Sequence, residues 1–165
     1  MLVSYVEPAG TLINTFHRRH KAVNDQIWTM PYVPGGRWST DKPVYVLTSN
    51  DTASGAEEFA YDMQQLKRGT VVGASTWGGA NPGKMVPIDD HFAVFVPFGA
   101  AVNPISKSNW EGSGVKPDVP VDPGAALETA RHLALRKLLE AATGERYDEL
   151  QTLLTASLSA KRPTR

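Results

Sequence analysis

Pro43 to Gly73 reads PVYVLTSNDTASGAEEFAYDMQQLKRGTVVG, and this stretch decides the fold. Pro43 to Thr48 is a β-branched and aromatic run suited to a buried strand. The SNDT that follows is rich in turn and cap formers, so a helix should come next. Ala56, Phe59, Ala60, Met63 and Leu66 fall at three- and four-residue steps, while Glu58, Asp62, Gln65 and Lys67 take the other face. That spacing predicts an amphipathic helix over 53–67, closed by Gly69. Thr70 to Gly73 is a second buried strand. A strand, helix, strand unit whose connection should be parallel and right-handed makes this an α/β protein.

Downstream the pattern shortens. Lys84 to Ile88 and His91 to Val96 read as two strands of a hairpin, with Asp89 and Asp90 at its turn. Asp122 followed by Pro123 is a helix-start signal. Leu127, Ala130, Ala134, Leu135, Leu138 and Leu139 then keep helical spacing until Gly144. A second terminal helix carries Leu150, Leu153, Leu154 and Leu158 on one face, and the tail KRPTR is expected to fray. Upstream, MLVSYV reads as a short strand at a start that looks cut. Between Glu7 and Lys42, turn-formers from Pro8 to Gly36 and the aromatics Phe16, Trp28, Tyr32 and Trp38 suggest an irregular arm laid on a core. The expected organisation is a single partial domain over 1–165: an arm over 1–42, an α/β core over 43–122 and helices over 123–160.

The chain has 165 residues, 41% hydrophobic and 21% charged, enough for one globular core. Seventeen basic and seventeen acidic side chains cancel, so the charge footprint of a general nucleic-acid binder is missing. The most apolar stretch, HFAVFVPFGAAV, is interrupted by Pro97 and Gly99 and predicts no membrane span. Zero cysteines exclude disulfides, thiolate zinc sites and a cysteine nucleophile.

Ser54 lies where the buried strand hands over to the helix, the edge at which such folds expose functional side chains. A hydroxyl there sits beside unpaired N–H groups and the positive end of the helix dipole, which can hold an oxyanion. Gly55 permits close backbone approach. The competing reading is structural: Ser54-x-x-Glu57 is also a capping box. Thr52 could take the cap instead and leave Ser54 free. A serine nucleophile needs a base. His17 and His20 belong to the basic cluster HRRHK, His91 opens a strand, and His132 should be exposed on a terminal helix. No histidine pair has metal-ligand spacing, so neither a metal nor another cofactor is expected. Gly78 to Lys84, GGANPGK, imitates a phosphate loop but fails. Met85 replaces the magnesium-binding hydroxyl, Pro82 removes a donor, and VPI continues as strand. Glu111, in WEGSGVKPD, lies in a segment that reads as a surface turn, and taken alone it fits a solvated glutamate as well as a functional one.

Two segments, LTSNDTASGAEEFAYDMQQLKRGTVVGASTWGG from Leu47 and WEGSGVKPDVPVDPGAAL from Trp110, together resemble the catalytic core of the C-terminal processing (tail-specific) serine peptidases. IWTMPYVPGGRW is similar to the branch of interphotoreceptor retinoid-binding protein modules and the tricorn core. The resemblance implies a ClpP/crotonase-like α/β core of stacked strand–helix units with a terminal helix pair, here the C-terminal half of a catalytic domain. It puts the nucleophile at Ser54, one oxyanion donor at the Gly55 N–H, and the supporting glutamate at Glu111. The lysine of the other branch maps onto Gly79, so a serine–lysine dyad is not implied, and Lys84 is a poor substitute. The tricorn-like branch takes its histidine base, its supporting serine and a second oxyanion donor from a segment that would precede Met1.

Peptide or protein substrate and the upstream half of the same domain are the implied partners, with no nucleic acid, and a homo-oligomer is compatible. A secreted or periplasmic location is slightly favoured. The 165-residue piece alone is expected to hydrolyse nothing at a useful rate. The alternative is a non-catalytic module of the same fold that binds a retinoid-type hydrophobic ligand.

Overall fold

A computed structural model describes residues 2–19 and 24–159. In chain order it contains a 3-10 turn (Leu2–Tyr5), then strands β1 (Leu12–Arg18), β2 (Asp25–Trp28) and β3 (Tyr45–Thr48), followed by helix α1 (Gly55–Gln65). Strands β4 (Thr70–Gly73), β5 (Gly83–Pro87), β6 (Ala93–Pro97), β7 (Gly99–Val102) and β8 (Val119–Pro120) lead to helices α2 (Pro123–Leu139) and α3 (Gly144–Ser159).

The core is the unit read from 43–73. β3 pairs with β4 in parallel, Tyr45 opposite Thr70 through Thr48 opposite Gly73, and β4 pairs with β8 in parallel. Adjacent residues of a strand face opposite sides, and Val71 and Val72 use both. Val71 packs with Ala60 of α1, Trp110 and Val115, whereas Val72 packs with Ala126 and Ala130 of α2. The sheet is therefore covered by α1 on one face and α2 on the other. Burying each valine completely contributes roughly 2 kcal/mol.

Helix α1 ends differently from expectation. Lys67, not a glycine, takes the left-handed position at φ 54°, and the Arg68 N–H closes back on the Met63 carbonyl at 2.9 Å. Gly69 matters for packing instead, since a Cβ there would stand 3.1 Å from Met63 Cε. Asp62, assigned by spacing to the solvent face, is buried and accepts from Asn103 Nδ2.

Other expectations are corrected too. Within MLVSYV, Leu2–Tyr5 form the 3-10 turn and no strand, with Val3 and Ser4 buried side by side where a strand would alternate them, and Met1 lies outside the described residues. The arm contains a hairpin, β1 with β2, extended by β7 into an antiparallel sheet. The guanidinium of Arg68 fastens the rest of the arm, donating to the carbonyls of Val6, Lys42 and Ser39. β5 and β6 form the expected hairpin, with the Asp89 side chain accepting from His91 N–H and Phe92 N–H in the turn. The phosphate-loop mimic indeed runs into strand at Gly83.

The terminal helix pair is present. α2 stops at Leu139 and Gly144 opens α3, so Gly144 starts the second helix and does not end the first. Leu135 meets Leu150 and Leu154, while Leu153 and Leu158 are exposed. Among the described residues no helix is long and apolar enough to cross a membrane. His20, Lys21 and the tail KRPTR lie outside the described residues.

Candidate active site

Ser54 is the N-cap of α1, and its backbone stands at φ 55°, ψ −124°. An N-cap residue ordinarily holds β-region dihedrals. A positive φ is rare for an L-residue, and this ψ lies outside even the small left-handed well. Such a conformation costs roughly 1–3 kcal/mol and persists only where neighbours over-determine it. Here they do. The Ser54 N–H donates to Glu57 Oε2 at 2.8 Å, and the Ser54 carbonyl accepts the Glu58 N–H at 3.0 Å.

The capping box is thus present, and its glutamate half is the 2.8 Å bond from the Ser54 N–H. The Ser54 hydroxyl, in capping position, makes no side-chain cap hydrogen bond. Thr52 does not take the cap, because its Oγ1 accepts the Ser49 N–H. The Gly55 N–H has no acceptor among the described residues, and a Cβ on Gly55 would meet nothing within 4 Å.

Ser54 and Gly55 line a groove of about 700 Å³ that also contains Glu111. The structure therefore brings the three sequence-derived site residues to one place. Phe16, Trp77, Phe95 and Trp110 supply apolar walls, and Glu58 lines it as well, accepting from Asn14 Nδ2 at 2.5 Å. Trp77 is 72% exposed.

Glu111 Oε2 accepts the N–H groups of Ala80 and Asn81 at 2.7 and 2.8 Å. Glu57 takes the two preceding amides, Gly78 at 2.6 Å and Gly79 at 3.0 Å, and also the Thr76 hydroxyl at 2.5 Å. Four successive amides, residues 78–81, are held by two carboxylates, as anion-binding loops hold anions. The loop that imitates a phosphate site is occupied by the protein's own acids. It packs backbone to backbone against the Glu111 loop. The Gly112 N–H donates to the Gly78 carbonyl, and a Cβ on Gly114, at φ 69°, would fall 2.2 Å from the Thr76 carbonyl oxygen.

Two buried carboxylates of α1 behave oppositely. Burial pushes the Glu57 pKa up, but the Thr76 hydroxyl and the amides of Gly78, Gly79 and Ser54 outweigh it and hold the group below its ordinary value. Burial pushes Asp62 up and the nearby Glu58 charge adds to it; the single donor from Asn103 does not compensate, and Asp62 rises to about 8.

None of the three described histidines lines the groove. His17 and His91 are exposed. His132, expected to be exposed, is half-buried, with Nε2 2.6 Å from Ser157 Oγ across α2 and α3. The wider reach of Glu57 is not visible in the sequence, where the S-x-x-E spacing accounts for one of its four bonds. Only the donor-rich TWGG following a strand hints at the others.

The sequence pattern of Peptidase family S41 matches residues 3–121. The carboxy-terminal-processing protease of Bartonella bacilliformis is 26% identical over 87 residues, which is 53% of this chain and 20% of that protein. Among solved structures, the photosystem II D1 C-terminal processing protease superposes with a TM-score of 0.56 at 24% identity, over 81% of this chain and 34% of its own. A peptidase from Parabacteroides merdae reaches a TM-score of 0.69 at 21% identity, over 86% and 48%. The chain spans about a fifth of the curated relative it matches and less than half of either solved one. The structural likenesses concern the fold, whereas the sequence pattern runs from the 3-10 turn through β8, and on that ground the chain belongs to peptidase family S41.

Proposed function

We propose that this chain carries the nucleophile half of a serine-type peptidase site. Ser54 Oγ attacks the carbonyl carbon of a peptide bond, its proton passes to a base, and the Gly55 N–H donates to the oxyanion that forms. Collapse of the tetrahedral species expels the amine, which takes the proton, and water hydrolyses the acyl-serine. The base is a histidine from outside the described residues, supported from the groove wall by Glu111. The single observation that carries this reading is the backbone of Ser54. A serine held at φ 55° and ψ −124° between a parallel strand and a helix, without a side-chain cap bond, matches the strained turn that exposes nucleophilic serines in other hydrolases.

Turnover of unstructured peptides by the full-length protein tests it. Ser54→Ala is expected to lower kcat by roughly four to six orders of magnitude, to background, and residues 1–165 alone to be inactive. Turnover that survives Ser54→Ala would overturn the assignment. Saturable tryptophan quenching by retinol in a protein that hydrolyses nothing would favour the binding-module alternative.

A further inference from the structure

Glu57 is fully buried, and among the described residues no cation pairs with it. A buried carboxylate without a counter-ion persists only when its oxygens are richly hydrogen-bonded. Its four donors come from two parts of the site: the Ser54 N–H on one side, and the Thr76 hydroxyl with the Gly78 and Gly79 amides on the other. Thr76 Oγ1 in turn accepts the Val115 N–H at 2.7 Å, which carries the connection into the loop that bears Glu111. A capping role would need the first of these bonds only.

We propose that Glu57 is a positioning residue: its carboxylate holds the Ser54 backbone in the strained conformation that presents the hydroxyl, and fixes the 76–79 loop as the facing wall of the groove. The proposal rests on Ser54 being the nucleophile. An amide cannot replace the carboxylate, because a glutamine of the same size puts two N–H donors where one acceptor oxygen stands. At least one pair of facing donors would then be set against it.

The test uses the full-length protein with two readouts, amide hydrogen exchange at Gly78 and Gly79 and the rate of Ser54 modification by a fluorophosphonate. Glu57→Gln is expected to speed exchange at both glycines by about tenfold or more, the loss of a charge-assisted bond, and to slow Ser54 modification by a similar factor. Glu149→Gln, at an exposed site on α3, changes neither. Glu57→Asp keeps the charge and shortens the reach, so it recovers part of both and serves as the working variant if the glutamine protein does not fold. Unchanged exchange at Gly78 and Gly79 overturns the proposal, and so does wild-type modification of Ser54 with the loop released. A wild-type protein that takes no label sinks the nucleophile reading and, with it, presentation of the hydroxyl. The exchange data then decide on their own whether Glu57 holds the loop.

Discussion

Helices α1 and α2 each start on a good capping residue, Ser54 and Asp122, and the two starts are built in opposite ways. Asp122 sits at φ −54°, ψ 134°, its side chain accepts the Gly124 N–H at 2.9 Å, and Pro123 fills the first helical position. Every choice there serves the helix. Ser54 sits at φ 55°, ψ −124° without a side-chain cap bond, and the helix is tied down instead by Glu57 from inside its own first turn. Ser54 stands in the capping position with a positive φ, and the buried Glu57 carboxylate holds its backbone N–H. The two starts differ in backbone conformation and in which side chain ties them down, although the local sequences, Asp-Pro and Ser-x-x-Glu, both look structural.

The comparison can be broken at three levels of effect. The largest concerns the two buried acids of α1, Asp62 and Glu57. Because Asp62 has its folded pKa raised from 3.8 to about 8, its stabilising contribution is complete below pH 4 and is lost as pH rises towards 8. Glu57 has the opposite sign: its pKa is lowered, so its contribution is present above the ordinary carboxylate range and is lost as pH falls through the folded value. Asp62→Asn should therefore remove a decline in stability of about 1.4 kcal/mol per pH unit between pH 4 and 8. Urea unfolding at several pH values measures it, and an unchanged pH profile would show that Asp62 is not the group responsible. Next come the two starts themselves. Ser54→Gly relieves the positive φ and should stabilise the fold by about 1 kcal/mol after the glycine entropy is subtracted. Asp122→Ala removes a relaxed cap and should destabilise by about 1 kcal/mol, opposite in sign to Ser54→Gly. Thermal unfolding of both variants decides, and equal signs would erase the contrast.

Much of this was legible in the residues. The apolar run Pro43 to Thr48, the helical steps after it and Thr70 to Gly73 define the parallel unit, because each of these elements is built mainly by local pattern. Ser54 and Gly55 stand out at the handover from strand to helix, Glu111 only through the resemblance to the tail-specific peptidases, and one groove collects the three. What could not be read depends on partners far along the chain. β1 is paired on both edges, by β2 and by β7 some eighty residues away, and polar HRRHK at its end hides it. Asp62 looks solvent-facing by periodicity but is buried, and its hydrogen-bond partner, Asn103, lies 41 positions on. Glu57 satisfies a local motif with one bond, which conceals the three that it makes with Thr76, Gly78 and Gly79.

The most direct measurement is the mass of the full-length protein after incubation with a fluorophosphonate, followed by peptide mapping. The account predicts one adduct, on Ser54, absent after Ser54→Ala. An unlabelled protein, or an adduct on any other serine, would contradict it.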